Sequence, residues 1–257
     1  MKNRIMLVGD THGNPRWTRT VINQASELGV DLLIQLGDFG YWPRFHDGRD
    51  YLHAVEKALA GRDLSMWFLD GNHEDHVRLR SCDTPPGRVA ITDHIGYLPR
   101  GTRWQWGQTR WLALGGAVSV DQSWRTPGHD WFAEETITTD QQEAIIAAGP
   151  ADVVIAHDAP WGVPFLVQQF RQDLSPESRG SWPAAALIEA DAYQQRLRTI
   201  LEAVQPQTWF HAHYHVAYQD TLPAICGDVK VIGLDCDGGS PRASTLLVDA
   251  TGTEISW

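Results

Sequence analysis

Five short apolar runs in this chain stop at residues with metal-ligand chemistry. They are IMLVGDTH, ending at His12; LLIQLGD, ending at Asp38; WFLDGNHE, passing through Asn72 and His73; VVIAH, ending at His157; and TWFHAH, carrying His211 and His213. A buried strand delivers whatever follows it to one edge of a sheet, so five such runs gather Asp, Asn and His at one place. Hard carboxylates mixed with borderline imidazoles suit Mn, Fe, Zn or Co rather than Ca or a thiolate-bound structural zinc. No Cys lies in any of the five runs. Each run alone reads as a turn or a surface pair; their ordered recurrence points to a two-metal hydrolase.

The periodicity predicts strand 4–8, helix 15–28, strand 31–36, helix 50–60, strand 66–70 and a short helix from about His73. This βαβα alternation implies a mainly parallel sheet with right-handed crossovers. TRWQWGQTRWLALGG, around Trp106 and Gly107, reads as a hairpin that opens a second sheet. A long aromatic and charged loop follows Gly116 and is expected to wall the active site. Helix 138–148, strand 152–156, a Pro- and Gly-punctuated insertion and helix 183–203 come next. Strands are expected at 207–212, 215–220, 229–234, 244–249 and 253–257. Two sheets covered by helices fit this order.

With 257 residues and no linker, repeat or low-complexity tract, the chain is read as one domain, 1–257. A net charge of -11 counts against gripping long nucleic acid but not against small phosphates, since bound divalent cations reverse the local field. Cys82, Cys226 and Cys236 have no CxxC spacing and read as reduced core thiols. The N-terminal run is too short for a signal peptide and no run reaches membrane-spanning length, so the expectation is a soluble cytoplasmic protein. Oligomeric state is left open.

The ordered set Asp10-Thr11-His12, Gly37-Asp38, Gly71-Asn72-His73-Glu74, His157 and His211-Ala212-His213 resembles the DxH, GD, GNH, H and HxH pattern of the calcineurin-like metallophosphoesterases. The resemblance implies a four-layer αββα sandwich with two central mixed sheets flanked by helices. It implies two divalent ions, with Mn2+ favoured and Fe, Zn, Ni or Co as alternatives. One ion would take Asp10, His12 and His213, the other Asn72, His157 and His211, with Asp38 bridging. A hydroxide between the metals would attack phosphorus in line, and His73 would protonate the leaving alkoxide or stabilise the phosphoryl oxygens. His211, His213 and His215 admit two HxH registers; the first follows the apolar run directly and is preferred, with His215 as a neighbour. The family usually carries Gly before this pair, where this chain has Phe210.

The protein Ser/Thr phosphatases of the superfamily carry phosphate-gripping arginines in GDxxDRG and RGNHE. This chain reads Asp38-Phe39-Gly40-Tyr41-Trp42 and Asp70-Gly71-Asn72-His73 instead, lacking both arginines and the Asp that orients the catalytic His. A monoanionic diester needs less positive charge than a dianionic monoester, so the expectation is a phosphodiesterase on small diesters such as cyclic nucleotides. The alternatives are a phosphomonoesterase of the Ser/Thr protein phosphatase type, or a non-catalytic interaction scaffold. Arg44 and Arg125 are candidates to restore charge from the loops. Trp42 and Trp161 are candidate aromatic faces for a nucleobase, alongside Trp124 and Trp131. Asp70, Glu74 or Asp75 could orient His73, whereas His46, His76 and His129 read as surface groups.

Overall fold

The computed structural model describes residues 4–81, 87–180, 182–225 and 227–256. In chain order, β1 (Ile5–Val8), α1 (Pro15–Glu27), β2 (Leu32–Gln35), α2 (His46–Ala60), β3 (Met66–Phe68), α3 (His76–Arg80), β4 (Val89–Ala90) and β5 (Ile95–Tyr97) build most of one sheet and its cover. The second is built by β6 (Arg103–Trp106), β7 (Thr109–Leu114), α4 (Thr139–Ala147), β8 (Val153–Ala156), α5 (Pro164–Phe170), α6 (Ala184–Val204), β9 (Thr208–His211), β10 (Tyr218–Leu222) and β11 (Val229–Gly233). Then α7 (Pro241–Ser244) and β12 (Thr245–Val248) return the chain to the first sheet.

Each sheet has six strands, ordered β12-β1-β2-β3-β5-β4 and β10-β11-β9-β8-β7-β6. The four inner strands of each run parallel, and the two edges pair antiparallel. Because side chains alternate along a strand, every inner strand serves two cores. Ile5, Leu7, Ile34, Leu36, Ile155, Phe210 and Val248 meet between the sheets. Met6, Val8 and Leu33 pack on the other side against Val21, Ile22, Val55 and Leu59 of α1 and α2. Val154, Trp209 and Val231 pack against Leu197, Ile200 and Val204 of α6. The result is the αββα sandwich expected from the resemblance. Each fully buried aliphatic contributes roughly 1.5–3 kcal/mol of transfer free energy.

Local signals explain the helix ends nearest the site. Asn14 caps α1 by accepting the Trp17 amide at 3.1 Å, with Pro15 opening the first turn. Several expectations shift. β10 starts at Tyr218 rather than 215, because His213 and His215 hold left-handed backbone that no strand continues. In place of strand 253–257, Glu254 makes a single bridge to Val248 among the described residues. The short β4, β5 and α5 carry too little periodicity to be read from sequence. His76 is buried, 3.8 Å from Asp70, rather than a surface group, while His46 and His129 are exposed. Cys236 is free and half-buried rather than a core thiol; Cys82 and Cys226 lie outside the described residues. No helix among the described residues is long and apolar enough to cross a membrane.

Candidate metal centre

The parallel strands β1, β2, β3, β8 and β9 point their C-terminal ends at one edge of the sandwich, and the loops that follow carry the site. Among the described residues, two groups of potential ligands form there. Asp10, His12 and His215 have ligand atoms within 4.8 Å of one another, as do Asp38, His157 and His213. The Asp38 carboxylate stands between them, with Oδ2 3.7 Å from His12 Nε2 and 3.6 Å from His157 Nε2. Asn72 joins the second group, its Oδ1 3.2 Å from His157 Nε2.

Close approach of these loops requires glycine. A Cβ on Gly71 would lie 2.1 Å from Asp38 Oδ1, and one on Gly37 would lie 2.3 Å from His157 Nδ1. Seven non-glycine residues among those described have positive φ, and four are His12, Asp38, His213 and His215. Such conformations persist where the surroundings over-determine them, and they cluster at functional sites. Here the amides of Thr11 and His12 both donate to the Asp38 carbonyl, at 3.2 and 2.9 Å.

The donor set fits divalent cations. His12 Nδ1 donates to Asp237 Oδ1 at 2.7 Å, and His157 Nδ1 donates to the Leu36 carbonyl at 2.8 Å. Each imidazole therefore turns Nε2 inward, the arrangement metal-bound histidines take. Once His157 Nε2 gives up its proton, it, Asn72 Oδ1 and Asp38 Oδ2 would converge as lone-pair donors on one point. Asp10 and Asp38 are only 0% and 2% exposed. Burial works against a charged His157, yet Asp38 and Asp10 push it up to about 10; Asp38 in turn, against the same burial, is held well below the usual carboxylate range by His73 and His157. An incoming cation therefore displaces a proton that is serving as the local counter-charge.

His211 is not brought into either group. It shares the face of β9 with Trp209, two residues earlier, which packs toward the helices. There its Nδ1 donates to the Ala212 carbonyl at 2.9 Å and its Nε2 accepts from the Tyr218 hydroxyl at 2.5 Å. The two histidines of this stretch whose ring atoms lie beside the carboxylates are His213, in the Asp38 group, and His215, in the Asp10 group. The residue before this pair is Ala212, nearly as small as the glycine the family pattern carries there, and that small residue is the signal that favours the second register.

His73 sits at the rim. Its amide donates to Asp38 Oδ1 at 2.9 Å, and its carbonyl accepts from the Trp42 indole N–H. Its ring Nε2 is 3.7 Å from Asp38 Oδ2. Instead of a carboxylate, the Arg125 guanidinium lies along the ring, 2.6 Å from Nδ1 and 3.2 Å from Nε2. Burial first, then Arg125, lower the His73 pKa against the opposing pull of Asp38. Asp70, Glu74 and Asp75 face elsewhere: Asp70 bonds Tyr97 and Arg100, Glu74 accepts the Gly40 and Gly71 amides, and Asp75 binds Arg44.

Two hollows share His73. A cleft of about 520 Å³ has Asp38, Asn72, His213 and His215 in its lining, with Phe170, Arg179, Trp182 and Tyr214 among its walls. A smaller hollow of about 190 Å³ is lined by Trp42, Arg44, Phe45, Arg125 and Phe132. Arg44 thus stands beside the site, bonded to Asp75 at 2.9 Å and stacked 4.9 Å over Phe132. Trp161 lines neither hollow; its amide is spent on the Gln194 carbonyl. The tryptophan in the cleft is Trp182, packed against the exposed Trp124 at 5.3 Å.

A family model described as calcineurin-like phosphoesterase matches residues 3–217. A lariat debranching enzyme of Arabidopsis thaliana is 27% identical over an alignment 248 positions long that covers 84% of this chain and 55% of the relative. The chain thus spans about half the length of that relative. Among solved structures, TT1561 of Thermus thermophilus superposes with a TM-score of 0.55 at 12% identity, covering 97% of this chain and 100% of that one. A dimetal phosphatase from Danio rerio gives 0.51 at 14%, covering 95% and 91%. At such identities these structures speak for the fold alone.

Proposed function

The chain belongs to the calcineurin-like phosphoesterase family, and from that premise we propose that it is a two-metal phosphodiesterase acting on small diesters. Asp10, His12 and His215 would hold one ion and Asn72, His157 and His213 the other, with Asp38 reaching both; Mn2+ is the favoured pair. When bound, the ions supply Lewis acidity, lowering the pKa of a water and offsetting phosphoryl charge. His73 lies at the rim, where a hydrogen bond to the departing oxygen or a proton can be delivered.

The observation that carries the diester reading is charge balance. Three of the four arginines lining the hollows are tightly paired with an aspartate, Arg125 with Asp121 at 2.7 Å, Arg44 with Asp75 at 2.9 Å and Arg179 with Asp191 at 2.8 Å, while the exposed Arg171 stands 3.8 Å from Asp173. A monoester dianion would find those guanidinium groups neutralised, whereas a diester monoanion asks for less. The two hollows flanking His73 also give room for two substituents on phosphorus. Trp182 and Phe170 offer aromatic faces for a base, worth about 1–3 kcal/mol each, in keeping with cyclic nucleotides. The net charge of -11 tells against a long polyanion, so the debranching relative's substrate is not carried over.

Initial rates of the Mn-loaded protein on bis-(p-nitrophenyl) phosphate and p-nitrophenyl phosphate test the reading, followed by 2′,3′- and 3′,5′-cyclic nucleotides. Diester turnover should dominate. Ready hydrolysis of the monoester with the diester untouched overturns it and favours the phosphomonoesterase alternative.

A further inference from the structure

Asn72 is ambiguous as a ligand because its amide can present either oxygen or nitrogen to the site. A metal accepts only the oxygen. The choice is made by two residues outside every motif of the sequence, on the long loop after β7. Glu135 is 3% exposed, and its carboxylate accepts the Ser119 amide at 2.8 Å and the Ser119 hydroxyl at 2.6 Å. A serine hydroxyl has one proton. Once that proton is given to Glu135, Oγ can only accept, and it accepts from Asn72 Nδ2 at 3.0 Å. The amide nitrogen is thereby committed away from the site, and Oδ1 faces His157 Nε2.

We propose that Ser119 and Glu135 are positioning residues whose directional hydrogen-bond chain fixes the Asn72 carbonyl toward the metal held with His157 and His213. The proposal rests on the two-metal reading above. Its energetic logic is that of buried polar chains: each member is satisfied only if every proton runs one way. A plain structural role, tethering the loop to the sheet, would hold the loop equally well with the proton order reversed.

Replacing Glu135 by Gln reverses that order. Its oxygen accepts the Ser119 amide, its NH2 donates to Ser119 Oγ, and the hydroxyl proton must then point at Asn72. The Asn72 side chain is driven to turn its nitrogen to the metal. The test is calorimetric titration of the metal-free full chain with Mn2+, alongside the melting temperature of the same metal-free samples. Glu135→Gln and Ser119→Ala should each weaken one of two sites about 10- to 100-fold, the range for lost outer-shell partners. Ser119→Thr, which keeps the hydroxyl, should stay within about threefold of the wild type. In an Asn72→Asp background both ends are oxygen, so adding Glu135→Gln should change affinity less than about twofold. Wild-type affinity in Glu135→Gln or Ser119→Ala, or the same loss with Asp at position 72, overturns the proposal. If Ser119→Ala fails to fold, Glu135→Gln alone and in the Asn72→Asp background still decides it; if Glu135→Gln fails, Ser119→Ala against Ser119→Thr does. Absence of Mn2+ binding by the wild type would instead sink the two-metal reading itself.

Discussion

The two HxH registers make opposite predictions for a pair of single substitutions. His211 is fully buried, and both ring nitrogens are bonded within the β9–β10 region. His211→Ala removes a packed ring and strands the Tyr218 hydroxyl, so a loss of about 3 kcal/mol is expected from cavity and unpaired-polar costs. At roughly 2–4 °C per kcal/mol for a chain of this size, the metal-free melting temperature should fall by about 6–12 °C. Mn2+ affinity, measured where the variant is folded, should move by less than about threefold. His215 has a side chain 48% exposed, with Nε2 2.9 Å from Asp10 Oδ2. His215→Ala takes this partner from the buried Asp10 carboxylate, so a loss of about 1–3 kcal/mol and a fall of a few degrees in the metal-free melting temperature are expected. The same substitution should cost at least about 100-fold in Mn2+ affinity at one site, beyond what lost outer-shell partners cost. Calorimetric titration and thermal melts on both variants separate the two effects. Metal lost with His211→Ala and retained with His215→Ala would refute the assignment.

Asp38→Asn should lower turnover on the diester by on the order of 10³-fold while circular dichroism still reports the folded chain. Leu36→Ala and Ile22→Ala each open a fully buried site and should cost about 2–5 kcal/mol. Neither should move Mn2+ affinity by more than about threefold in calorimetry, because the Leu36 group that holds His157 Nδ1 is the backbone carbonyl, which the substitution keeps. Burial alone would raise the Asp70 pKa, but Arg100, 2.6 Å away, holds it below the usual range. Its stabilisation is therefore present above about pH 4 and lost as pH falls further. Arg100→Met should destabilise by about 3–5 kcal/mol at pH 7 by stranding that carboxylate, and the gap to wild type should narrow below about pH 4 in pH-resolved melts.

The parts of the site legible in sequence are those that strand ends impose. Asp10, Asp38, Asn72 and His157 follow continuous apolar runs, and parallel strands leave such residues nowhere to go but one edge. His211 misleads because the run TWFH continues through it: the strand's two-residue period, not its hydrophobicity, decides the face, and His211 falls with Trp209. Asp237 escapes the five-run pattern although VKVIGLDCD is likewise an apolar run ending in Asp. β11 lies parallel to β9, so its following loop reaches the same edge and backs His12. Phe170 and Trp182 are illegible because the insertion carrying them has no sustained period. Arg125 stands out in sequence only as a loop cation; its contact with His73 depends on how the loop after β7 folds back, which no local pattern encodes.

Left-handed backbone at His12, Asp38, His213 and His215 costs about 1–2 kcal/mol per residue. Four such residues together amount to roughly 4–8 kcal/mol, a large fraction of the 5–15 kcal/mol that usually separates folded from unfolded chains. Glycine at any of them would relieve the strain and remove the candidate ligand side chain, so the side-chain chemistry and the backbone conformation come together at a cost in stability. The compensation lies beneath the site, where three apolar layers anchor both sides of each strained loop: Leu36 pairs with Val8 through its amide at 2.8 Å, and Ala212 with His157 at 3.0 Å. Rigid strands thus hold both sides of each loop that carries a candidate ligand.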